Sequence, residues 1–370
     1  MLIGIDASRY GGELATGVEH YSYKIINGLL KEISKSKDDK AVLYAKKSLG
    51  LSEAGKVAVK VIDRKRLWTM KGLSKEMKEH PSDVLFVPSH VLPKTLPEKS
   101  VIMIHDVAFK YLRKAYSWMQ YRYLDWSTKF AVQNATTILV PSEATKSDLM
   151  HFYKCPEEKI EVVYHGFDPL EVSSKEIDKV YKESDVFKYF GIRRDSKYVF
   201  FVGRLESKKN LEKLVEAFYD FSQTHEDFRL VLAGTRGVGA DRIIKKVRKL
   251  RMADKVVIPG YITDPEKAAL YKYCSVFAFP SLYEGFGFPV LEAFHFDKPV
   301  LTSHVSCLPE VAGDAAHYVD PYDPDSIAMG LEKLVDDTGY AEKLVSLGKE
   351  RLKEFTWEKA SKQTYKILTS

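Results

Sequence analysis

Short continuous apolar runs alternate along this chain with longer stretches whose apolar residues recur every three or four positions. The runs LIGID (2–6), AVLYA (41–45), VLFVP (84–88), SVIMIHD (100–106), TTILVPS (136–142) and KIEVVYHG (159–166) have the length and β-branched content of strands buried on both faces. Helical spacing fills 18–33, 116–132 and 143–151 between them, so the first half predicts one parallel sheet covered by helices. The pattern breaks over 167–196, a charged segment containing DPLEVSSKEIDK, and then restarts. KYVFFVG (197–203), RLVLAG (229–234), KVVIPGY (255–261), SVFAFPS (275–281) and PVLTS (299–303) alternate with helical segments at 210–223, 241–252, 265–273 and 289–296. A second doubly wound α/β domain follows, with ligand loops expected at the carboxyl ends of its strands. The expected division is 1–185, 186–352 and a terminal helix, 353–370, with its packing on the first domain left open.

Composition agrees with two packed cores: 370 residues, 45% hydrophobic and 12% aromatic, leave no room for long disorder. Cys155, Cys274 and Cys307 have neither disulfide-framework nor metal-like spacing, and the ten histidines form no H-x-x-x-H or H-x-x-H cluster. A reducing compartment and no metal are expected. MLIGIDASRYGG lacks the basic start and apolar run of a signal peptide, and no window approaches 18 apolar residues. The expectation is therefore cytoplasmic.

Charge is unevenly placed. The net +6 divides into 23 − 14 = +9 over 1–130, 7 − 11 = −4 over 131–190 and 27 − 26 = +1 over 191–370. Within the basic part, RKRLWTMKGLSKEMKEH (64–80) mixes six Lys/Arg with Trp68, Met70, Leu73 and Met77. Two readings stay open: an amphipathic helix with its apolar side in the core, or a peripheral contact with an anionic membrane or acceptor. Nucleic acid is excluded as a partner by the absence of a recognition motif or basic tail.

The loops carry the chemistry. In FVGRLESKKN (201–210), a strand ends at Gly203, cations follow at Arg204, Lys208 and Lys209, and Asn210 is placed to cap the next helix. Cations beside helix N-terminal amides suit a diphosphate, although a solvated turn has the same pattern. AGTRGVGAD (233–241), with Gly234 and Arg236, reads either as a turn or as a ligand-lining loop; it lacks the spacing of a dinucleotide fingerprint. SLYEGFGFPVLEAF (281–294) sets Glu284 and Glu292 on either side of Gly285, Phe286, Gly287, Phe288, Pro289 and Val290. There the glycines permit close backbone approach, Pro289 suits a first helical turn, and Glu292 can accept from a diol such as ribose. Ser306 is a further candidate contact, and Tyr261 closes the KVVIPGY strand. In the first half, His105 and Asp106 end a strand, Gly11, Gly12 and Gly17 form a loop that can approach a substrate or simply turn the chain, and His165-Gly166 reads as a hinge-side turn.

Taken together, FVGRLESKKNLEKLVEAF (201–218), LYEGFGFPVLEAF (282–294) and SCLPEVAGDAAHYVDPYDPDSIA (306–328) resemble family 4 glycosyltransferases, retaining enzymes of the GT-B architecture. The E-x7-E pattern of that family is matched by Glu284 and Glu292. The resemblance implies two Rossmann-like domains facing a cleft, the first receiving the acceptor and the second the nucleotide sugar. It implies that Arg204 and Lys209 hold the donor diphosphate, Glu292 the ribose, Glu284 and His105 the donor sugar, and residues 287–290 the sugar and phosphates. The GVG loop departs from the commoner G-x-G-P arrangement, so the contacts of Gly234 and Arg236 are less defined.

The implied reaction is transfer of a hexose with retained configuration, from GDP-mannose by preference, with glucosyl, galactosyl or N-acetylglucosaminyl transfer from a UDP-sugar as the alternative, without a cofactor. The implied acceptor is a glycan or lipid-linked saccharide at the inner face of the cytoplasmic membrane. Three competing readings have simple discriminators. A sugar-nucleotide epimerase converts donor without acceptor, a phosphorylase consumes inorganic phosphate, and a silent nucleotide-sugar sensor binds without turnover.

Overall fold

The computed structural model describes residues 1–11, 17–50, 55–193 and 195–370. The chain divides into two compact units, Met1–Gly166 with Phe355–Ser370, and Phe167–Glu354.

The first unit is built on a parallel sheet of β1 (Leu2–Asp6), β2 (Lys40–Ala45), β3 (Val57–Val61), β4 (Val84–Val87), β5 (Lys99–Met103), β6 (Thr137–Val140) and β7 (Ile160–Val162). Their order is β3-β2-β1-β4-β5-β6-β7, with Ile3 paired to Ala41 on one side and to Val84 on the other. Alternate residues of β4 explain why such runs are apolar throughout. Val84 and Phe86 enter one core with Ile3, Tyr21 and Leu29, whereas Leu85 and Val87 enter the opposite core with Ile102 and Ile138. The edge strand β3 escaped the sequence reading because VAVKV is only half-buried.

Residues 64–80 resolve the choice left open for that segment. Trp68–Leu73 forms a π-helical turn that runs into the Ser74–Glu79 helix, and Trp68, Met70, Leu73 and Met77 are all buried. Trp68 Nε1 donates to Ile62 O at 3.0 Å. The apolar side chains that would have entered a membrane are thus committed to the core.

The second unit repeats the architecture with β8 (Tyr198–Val202), β9 (Arg229–Ala233), β10 (Val256–Gly260), β11 (Val276–Phe279), β12 (Val300–Ser303) and β13 (His317–Val319), in the order β10-β9-β8-β11-β12-β13. All of its strand pairs are parallel. The order reverses between β8 and β11, a topological switch point at which ligand loops are expected beyond the carboxyl ends of the strands.

The boundary lies earlier than 185/186. The segment read as irregular contains the Ser174–Glu183 helix, started by a Ser173–Glu176 capping box, and Tyr181 meets Tyr273 edge-on at 5.0 Å. Its packing on the Asp264–Tyr273 helix ties it to the second unit. At the other end, the Trp357–Thr369 helix lies on the Gly17–Lys35 helix and buries Ala360 and Leu368 in the first core.

Candidate active site

Two loops meet at the reversal in the second sheet. After β8 the chain turns at Gly203 into a short 3-10 turn, Ser207–Lys209, and after β11 it runs through Ser281–Gly287. Leu282 N donates to Lys208 O at 2.8 Å and fastens one loop to the other. Lys209 Nζ then lies 2.6 Å from Glu284 Oε1, with side chains only 12% and 9% exposed. Nζ is also 4.9 Å from the Phe279 ring centroid. Burial pushes the Lys209 pKa down, opposed mainly by the Glu284 charge.

Glu284 is held by its main chain as well. Ser306 Oγ donates to Glu284 O at 2.5 Å, Glu284 N donates to Ser306 Oγ at 3.2 Å, and Cys307 Sγ reaches Glu284 O and Phe286 O at 3.2 Å each. Ser306, considered above as a ligand contact, is therefore a clasp on the loop that carries Glu284. Asn210 likewise differs from expectation: it adopts φ 60, gives no side-chain cap, and donates through Nδ2 to Pro321 O at 2.5 Å.

Arg204 is exposed, and among the described residues its guanidinium has no ion pair or hydrogen bond. The loop after β9 runs alongside: Leu205 N donates to Thr235 O and Gly237 N to Leu205 O, both at 2.9 Å, with Leu205 bridged to Arg236. Gly234 has φ +137, and a Cβ there would lie 1.9 Å from Gly203 O, so this glycine allows the two loops to touch. Arg236 is exposed on the same loop pair. The described loops after β8, β9 and β11 carry Arg204, Lys208, Lys209 and Arg236 with Glu206 and Glu284, 4 − 2 = +2, which suits an anionic ligand.

Gly287, at φ 101, turns the chain into the Phe288–His295 helix, with Pro289 in its first turn. Phe286 is buried edge-on to Phe288 at 5.2 Å. Val290 is fully buried and its N–H donates to Gly287 O at 3.0 Å, so this amide serves the helix start instead of projecting from it. Gly285 lies between Glu284 and Phe286 on the clasped loop, and Tyr261 is 61% exposed just beyond β10.

Glu292 is anchored inside its helix by two residues that the sequence reading missed. Lys267 Nζ is 3.0 Å from Oε1, and Tyr271 Oη donates to Oε2 at 2.9 Å. Their signal was present as an i, i+4 pair on one face of the Asp264–Tyr273 helix. Each glutamate of the E-x7-E pattern thus has its own lysine.

In the first unit, His105 is buried with both ring nitrogens engaged. Nε2 is 3.2 Å from Pro88 O and Nδ1 is 3.4 Å from His165 Nε2. Because a carbonyl only accepts, Nε2 carries the proton and Nδ1 accepts from His165 Nε2–H. Tyr21 and His90 meet the ring edge-on at 4.8 and 5.1 Å. Burial, reinforced by His90, pushes the His105 pKa down to about 3. A sugar hydroxyl would therefore have to replace the longer His165 contact. Asp106 Oδ1 accepts from Ala108 N at 3.0 Å. Gly17 opens the Gly17–Lys35 helix, while Gly12 lies outside the described residues. His165 stacks on Trp357 at 6.2 Å, so the His165-Gly166 turn is also the seat of the terminal helix. Among the described residues, no group of three His, Cys, Asp or Glu side chains is arranged to hold a metal ion.

The loop chemistry at the sheet reversal agrees with two family models. Residues 55–170 match "Glycosyltransferase Family 4" and residues 182–351 match "Glycosyl transferases group 1". The chain belongs to the family 4 glycosyltransferases. It is 28% identical over 297 residues to O-antigen chain mannosyltransferase B of Escherichia coli, covering 79% of this glycosyltransferase and 76% of the relative. It is 24% identical over 273 residues to the serotype-specific mannosyltransferase WbdA of the same species, covering 71% of this chain but only 32% of the relative. Sucrose-phosphate synthase from Thermosynechococcus elongatus superposes with a TM-score of 0.75 at 17% identity over 99% of this chain and 98% of its own. That likeness establishes the GT-B fold of two Rossmann-like units.

Proposed function

We propose that this glycosyltransferase moves mannose from GDP-mannose, with retention of configuration, to a glycan or lipid-linked saccharide at the inner face of the cytoplasmic membrane. The observation that carries the reading is the Lys209–Glu284 pair at the reversal of the second sheet, beside the unpaired Arg204. A sugar diphosphate laid across it would put anionic oxygens on the two cations and the anomeric carbon near the carboxylate.

In the reaction, the bond from C1 to the diphosphate oxygen breaks and both electrons leave with the diphosphate. Arg204 and Lys209 stabilise the charge that accumulates there, and Glu284 faces the cationic sugar. The acceptor oxygen bonds to C1 from the face just vacated, and its proton passes to the departing phosphate oxygen. Glu292, held by Lys267 and Tyr271, is prepared to accept from the ribose diol. The mannosyl assignment is supported by the two mannosyltransferase relatives.

The test is a donor screen by mass spectrometry with crude lipid-linked glycans as acceptors, followed by NMR of the product anomer. Mannosylated product from GDP-mannose with an unchanged anomer is expected. Transfer from UDP-hexoses alone, or an inverted product, overturns the corresponding part of the reading. Conversion of donor without acceptor would assign an epimerase instead.

A further inference from the structure

We propose that the outward face of the Trp118–Asn134 helix is a docking surface for an anionic lipid bilayer. This extends the preceding reading by naming where a membrane-borne acceptor meets the chain, at a place different from residues 64–80.

The helix carries large apolar groups on both of its sides. Its inward side buries Ser127, Thr128, Ala131 and Val132, and Tyr121, Leu124 and Phe130 pack against the core. Outward, Trp118, Met119, Tyr123 and Trp126 are 67%, 74%, 48% and 43% exposed. At 100° per residue, these four side chains with Arg122 and Lys129 fall within an arc of about 140° centred near Trp126. An ordinary solvated helix places its large apolar groups on the other side. Here they are interleaved with cations, as at a bilayer interface, where indole and phenol rings lie among the headgroups and Arg and Lys meet lipid phosphates.

Charge identifies the occupant. Arg122 stacks 5.7 Å over the Trp118 ring, and neither Arg122 nor Lys129 is in an ion pair among the described residues. The nearby carboxylate, Asp125, is already engaged by Lys110 and by Tyr153 Oη at 2.9 Å. The face is therefore net positive and attracts an anionic surface. A second copy of the chain pairing through this face would set the same cations against each other.

The experiment is co-sedimentation of the full chain with vesicles of phosphatidylglycerol and phosphatidylcholine in equal parts, against phosphatidylcholine alone, with tryptophan emission recorded in parallel. Binding to the anionic vesicles with a blue shift, weakened by salt, is expected. Arg122→Gln with Lys129→Gln lowers partitioning about thirtyfold, and Trp118→Ser with Trp126→Ser abolishes the blue shift. Retained nucleotide binding and circular dichroism confirm that these variants fold. Absent vesicle binding, or binding undiminished in both variants, overturns the proposal; so does a concentration-dependent dimer that the tryptophan variant dissociates. Vesicle binding requires no turnover, so its failure is distinguishable from failure of the proposed transfer reaction.

Discussion

Lys209 Nζ and Glu284 Oε1, 75 residues apart in sequence, are joined at 2.6 Å across the two loops that leave β8 and β11. The cation proposed to hold the diphosphate and the carboxylate proposed to face the sugar are thus one buried unit. Removing the carboxylate alone leaves an ammonium with little water around it, a loss of about 3 kcal/mol or more.

Glu284→Gln preserves shape and a hydrogen bond to Lys209 while deleting the charge. The expected result is a fall in kcat of about 100-fold or more, with nucleoside diphosphate affinity within about threefold of the parent. Steady-state kinetics and calorimetry measure the two separately. Unchanged turnover would end the assignment of Glu284 to the reacting sugar.

Glu292 requires a different signature. Tyr271→Phe removes the donor to Oε2 but leaves the Lys267 ion pair, so the carboxylate becomes free to swing. Loss of one hydrogen bond to a charged group is worth about 1.5 kcal/mol, or roughly a tenfold rise in donor KM with kcat retained. A loss confined to kcat would place Glu292 at the reacting carbon and not at the ribose.

The histidine cluster gives a pH prediction whose sign is fixed by burial. His105, His165 and His90 all have pKa values lowered by desolvation, His105 to about 3, with Asp106 opposing the shift at His90 and His105. The unfolded chain therefore takes up protons first as pH falls below the ordinary histidine value of about 6.5. Stability present above that pH is lost progressively down to the folded-state value, at about 1.4 kcal/mol per pH unit for each proton. Denaturant unfolding of the first unit between pH 7.5 and 5, chosen as roughly spanning the histidine range, should show this decline. The slope should be shallower in His165→Asn. An identical slope in the variant would remove His165 from the account.

The sequence made β1, β4 and β8 legible because both of their faces are buried, which forces continuous apolar runs. Edge position hid β3 and β13, the latter only three residues long and two of them half-buried. The placement of Lys209, Glu284 and Glu292 in or beside strand-end loops was legible, since turns and helix starts are local signals. Their partners were not: Lys209 meets Glu284, Lys267 meets Glu292 and Ser306 clasps Glu284 only after distant strands align in the sheet. His105 shows the same limit, because its strand-end position advertised a ligand contact while Pro88 and His165 already occupy its nitrogens.

The contact between Gly28 and Ser361 tests how the terminal helix is held, and two effects of opposite sign compete there. Replacing Gly28 by Ala favours the Gly17–Lys35 helix by about 0.8–1.0 kcal/mol from propensity alone. Yet the added methyl would lie 1.8 Å from Ser361 Oγ and 2.7 Å from Ser361 Cβ, separations that only movement of the terminal helix can relieve. Overpacking of this kind costs about 1–3 kcal/mol, so Gly28→Ala is expected to destabilise the first unit and expose the Trp357–Thr369 helix to proteolysis. Ser361→Ala should do the reverse: its Oγ is buried without a hydrogen-bond partner, and deleting it relieves a desolvation cost of about 1 kcal/mol. In the double variant the oxygen clash is gone while the Cβ clash persists, so the combined loss should be smaller than that of Gly28→Ala alone. Thermal unfolding and limited proteolysis of the four chains read this cycle directly. A Gly28→Ala chain more stable than the parent would show that propensity outweighs the contact and that the two helices are not tightly docked.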